Sequence, residues 1–222
     1  MKIAVVIPNS AMPPEAVERR RLYLQSSASR DTELLFWRNS AGPASIETEA
    51  ERDEAGVEIF RHAMGRDLSK ISALIPWCAA DPGLDALRQA LPIPVVGPLI
   101  AACRAASLSG HRFSLVMPAG SPGMMRHRIA SYGFGPKLVS VRQVDRPVLQ
   151  LRTDIENTKR LFAQQIDAAV DDGADAVILG CMALFGLAQQ IRAAVPVIDP
   201  ALAALTAAES MVRLRLARSA AW

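Results

Sequence analysis

The sequence predicts an α/β protein of two similar lobes, each a short, mainly parallel sheet flanked by helices, related by a pseudo-twofold axis with the functional cleft between them. Three observations predict it. Short apolar, β-rich runs alternate with helical stretches along the chain, the pattern of parallel sheets covered on both faces. A stretch in the middle then returns near the end. Ala73-Leu74-Ile75-Pro76-Trp77-Cys78 matches Ala176-Val177-Ile178-Leu179-Gly180-Cys181, 103 residues apart (181 − 78), and Gly83-Leu84 and Gly186-Leu187 follow at the same offset. Pro94-Val95-Val96-Gly97-Pro98 answers Pro196-Val197-Ile198-Asp199-Pro200 with one residue deleted between. Finally, the opening run Lys2 to Pro8 has a copy in Arg112 to Pro118, 110 positions on (118 − 8).

Taken in order, Lys2 to Ile7 is a buried strand ended by Pro8-Asn9-Ser10. Glu15 to Ser27 is a helix with Val17, Leu22 and Leu24 inward, and Glu33 to Trp37 a second strand. Gly42-Pro43 turns the chain into a helix ending near His62 or Gly65, with Ser45 as N-cap and acidic residues from Glu47 to Glu51 in its first turns. Ile71 to Trp77 is the strand that ends at Cys78, Leu84 to Ala90 a short helix and Val95-Val96 a last strand; the helix Leu99 to Ser109 crosses to the second lobe. There the order repeats: strand 113–117, helix 123–131, strand 138–142, helix 154–172, strand 175–180, helix 184–194, strand 197–198 and a terminal helix from Leu202 to Arg218. The lobes are then 1–98 with 202–222, and 99–201.

Composition narrows the function. The chain has 222 residues, 50% of them hydrophobic and 21% charged, enough for a sizeable core and too apolar for disorder. A net charge of +3 is spread along the chain and only 5% of residues are aromatic, which argues against a nucleic-acid partner. The densest basic run, Arg19-Arg20-Arg21, lies beside Glu15 and Glu18 and reads as a solvated helix face. No apolar run approaches the 18 or so residues of a membrane span, and Pro8 cuts the first one short, which excludes a membrane-spanning helix and argues against a signal peptide. Three cysteines without CxxC spacing fit free thiols in a reducing compartment, the cytoplasm. The partner is a small molecule, and the sequence leaves room for a homo-oligomer.

The carboxyl ends of parallel strands form a ligand crevice. Pro8-Asn9-Ser10, Cys78, Pro118 with Gly120-Ser121, and Cys181 all follow strands at that edge, so facing lobes bring Cys78 and Cys181 over one cleft. Two opposed thiols suit one task above others: one removes a proton from a carbon while the other delivers a proton to the opposite face. Helices starting just after each cysteine would lower the thiols from their ordinary value of about 8.5. No cofactor fingerprint and no lysine for a pyridoxal Schiff base is present, so loop N–H groups must hold the oxyanion. The plainer readings are weighed beside this. A cysteine ending a buried strand is usually a core residue, and Cys103, without a copy, is read as one. His62, His111 and His127 are scattered and give no metal site. Met124-Met125 reads as helix packing. Asp81-Pro82-Gly83 reads as a turn with Asp81 opening the next helix, a role in orienting Cys78 being the sharper alternative.

With these residues in place, the chain resembles the aspartate/glutamate/hydantoin racemase superfamily, and within it the hydantoin and allantoin racemase branch. The resemblance spans nearly the whole chain. It rests on Pro8-Asn9-Ser10, Gly42-Pro43 with Ser45-Ile46-Glu47, Cys78 with Asp81-Pro82-Gly83, Pro94-Val95-Val96-Gly97, and Asp172-Gly173-Ala174 leading to Leu179-Gly180-Cys181. It implies cofactor-independent racemisation with Cys78 and Cys181 as acid and base. The substrate contacts would come from Asn9, Ser10, Ile46, Ala79, Gly120, Ser121, Met182 and Ala183. The expected substrate is a 5-substituted hydantoin or related ureide; the apolar run Met182-Ala183-Leu184-Phe185 suits an uncharged ring with an apolar side chain. An aspartate/glutamate-type racemase, or a same-fold decarboxylase or cis–trans isomerase, is the alternative. The chain departs from the branch at Cys181-Met182-Ala183-Leu184, where members usually carry a glycine and methionine after the second cysteine's alanine, and at Met117-Pro118-Ala119-Gly120, where relatives often carry threonines.

Overall fold

The computed structural model describes residues 1–216. Its strands are β1 (Lys2–Ile7), β2 (Glu33–Arg38), β3 (Ala73–Pro76), β4 (Phe113–Met117), β5 (Leu138–Gln143), β6 (Ala176–Leu179) and β7 (Val197–Ile198). Its α-helices are α1 (Pro14–Ser27), α2 (Glu49–Met64), α3 (Leu84–Ala90), α4 (Pro98–Ser109), α5 (Pro122–Ser131), α6 (Ile155–Asp171) and α7 (Pro200–Arg213). The strands form two parallel sheets of order β2-β1-β3 and β5-β4-β6-β7. These orders are equivalent, because Val95 forms a single parallel bridge with Leu74 on the edge where β7 lies in the second sheet. Pro92 and Pro94 offer no amide donors there, which holds the fourth strand of the first sheet to that one bridge.

Each sheet is buried on both faces, and the strand period of two separates the faces. On β1, Ile3, Val5 and Ile7 meet Val17 and Leu24 of α1 and Ala204, Leu205 and Ala208 of α7, whereas Ala4 and Val6 meet Ile59 of α2 and Leu84 and Leu87 of α3. On β6, Ala176 and Ile178 face Leu99, Ala102 and Cys103 of α4 and Met124, Met125 and Ile129 of α5, whereas Val177 and Leu179 face Phe162 and Ile166 of α6. Burying each such side chain is worth about 1.5–3 kcal/mol. The two lobes are laced together by exchange of helices. Helix α4, made after the first sheet, leans on the second; α7, made after the second, returns to β3 of the first; and α4 packs on α7 between them.

Several local expectations are corrected. The cap of α2 is Thr48 rather than Ser45: its hydroxyl accepts the Glu51 amide while the Glu51 carboxylate accepts the Thr48 amide, a capping box. The helix expected over 184–194 is two short 3₁₀ turns, Met182–Leu184 and Ala188–Gln190, because Gly186 takes a left-handed φ of 78° and its amide goes to Asp199 instead of a helical carbonyl. Helix α7 starts at Pro200, with Asp199 as cap, and stops at Arg213; of the expected extension, 217 and 218 lie outside the described residues. No helix among the described residues is long and apolar enough to cross a membrane.

Candidate active site

Cys78 and Cys181 follow β3 and β6, the equivalent strands of the two sheets, and both line one cleft of roughly 280 Å³ between the lobes. Both are free thiols and half-buried. Each accepts the amide two residues on, Ala80 N to Cys78 Sγ at 3.5 Å and Ala183 N to Cys181 Sγ at 3.4 Å. The expected helix dipoles are missing. Cys78 enters a turn and α3 starts only at Leu84, while Cys181 leads into a single 3₁₀ turn. Burial therefore dominates, pushing Cys78 up to about 12 and Cys181 to about 11 against the pull of those amides. The remaining charges differ: at Cys181, Arg20 and Arg152 favour the thiolate against Glu47, whereas at Cys78 the neighbouring Cys181 and the Asp81 carboxylate disfavour it against Arg52.

The wall of the cleft includes Asn9, Ile46, Ala79, Met182 and Ala183 among the residues singled out in the sequence. Ser10, Gly120 and Ser121 lie outside it, each engaged in the frame. The Ser10 hydroxyl donates to Gly42 O at 2.8 Å, Gly120 packs on Glu47 O, and the Ser121 hydroxyl caps α5 by accepting the Met124 amide. Leu184 and Phe185 do not reach the wall; Leu184 enters the core beneath α6, and Phe185 lies beside Trp77 and Tyr23. Four wall residues carry charge, Arg19, Arg20, Glu47 and Arg152, and the sequence reading assigned none of them to a site. Arg20 had been read as part of a solvated face and is only 6% exposed. Arg152 is fastened to the Cys181 loop, donating to Ala183 O at 2.8 Å and Phe185 O at 2.7 Å. A single sequence offers no signal for either, since both are scattered arginines until the chain folds. Among the described residues no three His, Cys, Asp or Glu side chains converge as metal ligands would.

The sequence profile of the family described as Asp/Glu/Hydantoin racemase matches residues 3–208. The chain belongs to that family, and is an isomerase of the racemase type. A hydantoin racemase of Rhizobium meliloti is 31% identical to this racemase over 223 residues, covering 96% of this chain and 89% of that one. Solved structures described as allantoin racemases, from Pseudomonas fluorescens and Klebsiella pneumoniae, superimpose with TM-scores of 0.93 and 0.92 at 30% identity, covering 99% of this chain and 94% and 90% of theirs. A glutamate racemase of Bacillus anthracis shares the fold, with a TM-score of 0.64 at 18% identity, covering 96% of this chain and 82% of that one.

In this racemase each cysteine loop is tied to a helix start by a buried carboxylate and a tyrosine. Asp81, three residues past Cys78 and in a left-handed conformation (φ 49°), accepts the amides of Leu99 and Ile100 at the start of α4, at 2.9 and 3.1 Å, and the Tyr132 hydroxyl at 2.8 Å. It thus caps α4 and not the next helix, α3. Arg128 also holds the Asp81 carbonyl, at 3.1 Å. In the other half, Asp199 accepts the amides of Ala201 at 2.8 Å and Gly186 at 2.9 Å, with the Tyr23 hydroxyl at 2.7 Å. The repeat has exchanged the carboxylate's position. By the offsets of the duplication, Leu184 stands where Asp81 does and Asp199 where Gly97 does; a Cβ on Gly97 would lie 2.5 Å from Asp81 Cγ. Burial and the adjacent carboxylates push both tyrosines up, so they remain hydroxyl donors.

Proposed function

We propose that the protein is a cofactor-independent racemase of a small cyclic ureide, a 5-substituted hydantoin or a relative of it, in which Cys78 and Cys181 invert the stereocentre next to a carbonyl. The observation that carries this reading is the pair of thiols at equivalent strand ends in one cleft. A thiolate at Cys181 takes the proton from the C5 carbon of one enantiomer, leaving an enolate, and the Cys78 thiol gives its proton to the opposite face. The other enantiomer runs the steps in reverse. Cys181 serves as the resting base because Arg20 and Arg152 favour its anion while Asp81 opposes one at Cys78. The amides of Ala79 and Met182, one residue past each thiol at the wall, meet no acceptor among the described residues and would hold the enolate oxygen. Hydantoins suit this chemistry, since the C4 carbonyl beside C5 takes the charge as an enolate and the acylated N1 on the other side withdraws electrons, so the C5 proton is acidic without a cofactor. The cleft volume is just below the usual range for small-molecule sites, about 300–1,000 Å³, and fits one substituted ring. Both thiols must stay reduced for this mechanism, which suits a reducing compartment such as the cytoplasm.

The test is polarimetry of an enantiopure 5-substituted hydantoin in deuterated buffer, with a chelator and without pyridoxal phosphate, next to proton NMR at C5. Rotation should decay to zero as deuterium enters C5. Rotation that persists with no deuterium uptake across a panel of hydantoins sinks the reading, and faster turnover of free aspartate or glutamate moves it to the amino-acid branch.

A further inference from the structure

The cleft carries an imbalance of charge that racemisation by two thiols does not require. Arg19, Arg20 and Arg152 line it against one carboxylate, Glu47. None of the three arginines forms an ion pair among the described residues. Glu47 is otherwise engaged, its Oε1 accepting the Val148 amide at 3.1 Å and the Ser45 hydroxyl at 3.2 Å.

Arg20 makes the imbalance costly. It is 94% buried by difference from its 6% exposure, its Nη1 donates to Ala16 O at 2.8 Å, and its Nε has no hydrogen-bond partner. A buried guanidinium without an anion is an expensive arrangement, and such groups are normally paired. The indole N–H of Trp77, another wall residue, is likewise without an acceptor. The two inner arginines are also held in place. The Phe185 ring carries the guanidinium carbons of both, Arg20 at 5.1 Å and Arg152 at 3.7 Å from its centroid, and Arg152 is pinned to two carbonyls of the Cys181 loop. Burial and the neighbouring Arg152 charge pull Arg20 down to about 10, the direction an incoming anion would reverse. A thiolate at Cys181 offsets the charge in only one protonation state of the catalytic cycle, so it is not a standing counter-ion.

We propose that the 5-substituent of the substrate bears a carboxylate, and that Arg20 and Arg152, on the Cys181 side of the cleft, form its subsite. This rests on the ureide-racemase reading and replaces the expectation of an apolar side chain, since Leu184 and Phe185 are turned away from the wall. The remaining apolar wall, including Met12, Ile46 and Met182, takes the methylene stem.

The experiment compares two enantiopure hydantoins of nearly equal shape, 5-(2-carboxyethyl)hydantoin and its neutral 5-(2-carbamoylethyl) counterpart. With the wild-type enzyme, kcat/KM should favour the carboxylate at least about tenfold, mainly through KM. Arg20→Gln should collapse that ratio toward one and Arg20→Lys should keep part of it. Equal handling of the two by the wild type overturns the subsite, and so does an Arg20→Gln variant that slows both alike, the signature of a role confined to the ionisation of Cys181. Calorimetric titration of both compounds into the wild-type protein reads the subsite without turnover or variants. If neither hydantoin racemises, the ureide reading fails, and tighter binding of the carboxylate still supports the anion site while equal binding overturns it.

Discussion

At the residue scale, the proposed mechanism sets the two thiols on opposite sides of one planar intermediate, so that each would reach the proton of one enantiomer only. Cys78→Ala should abolish racemisation and leave solvent exchange at C5 of one enantiomer; Cys181→Ala should leave exchange of the other. Proton NMR in deuterated buffer reads both, and two variants exchanging the same enantiomer would exclude the two-thiol mechanism. Ionisation gives a second prediction. Both thiols lie above an ordinary cysteine, so the thiolate fraction is small at neutrality and grows about tenfold per pH unit. The kcat/KM profile, which reports the free enzyme, should therefore still be climbing past pH 8.5, whereas a plateau below that value would mean that the loop amide and the arginines lower Cys181 more than burial raises it. Cys103 sits fully buried in α4 and away from the cleft wall, and burial pushes its thiol up as well. Cys103→Ala should retain turnover and lose about 1–2 kcal/mol in a urea titration, because it leaves a small void among Leu99, Phe113 and Ile129.

At the element scale, helix starts are the joints of the molecule. The Thr48 box begins α2, and Thr48→Ala should cost about 1 kcal/mol of unfolding free energy in urea. The start of α4 is held by Asp81, which brings a carboxylate from the Cys78 loop of the first lobe to a helix that packs on the second sheet. Removing the Tyr132 hydroxyl takes one of the three donors to the Asp81 carboxylate, the other two being backbone amides. Tyr132→Phe should destabilise by about 1–3 kcal/mol and, more tellingly, should slow exchange on the Cys78 face more than on the Cys181 face. Equal slowing of both faces, at full folding, would mean that the clamp supports the fold without positioning that loop.

At the scale of the whole molecule, the lobes are not separate bodies but halves joined by traded helices, with α4 and α7 packed on each other between the two sheets. Gly97 is where this is most sensitive. Its missing side chain leaves room for Asp81 and for Leu84 Cδ2, which a Cβ would approach to 2.7 Å, so Gly97→Ala should cost about 1–3 kcal/mol in thermal or urea unfolding by forcing the clamp apart. The buried thiols also set an alkaline limit. Their folded values exceed the unfolded value near 9, so the stability they contribute is fully present below pH 9 and is lost as pH rises through about 11 for Cys181 and 12 for Cys78. Melting temperature should fall over that window, and by less in Cys78→Ala.

The sequence by itself determined the architecture and the meeting of two thiols at one cleft. Apolar periodicity fixes which face of each strand is buried, and a duplicated strand with its loop places Cys78 and Cys181 at equivalent sheet edges, because the same local pattern folds to the same unit twice. Tertiary structure alone decided what surrounds them. Arg20 looked solvated in the run Arg19-Arg20-Arg21, since charge is local in sequence while burial depends on the α1 face meeting the Cys181 loop. Asp81 looked like a cap of α3, since its true partners, Leu99, Ile100 and Tyr132, lie 18 to 51 positions away. The helix expected after Cys181 gave way to turns because Gly186 could satisfy its amide at Asp199, a competition between local and distant hydrogen bonds that only the folded chain resolves.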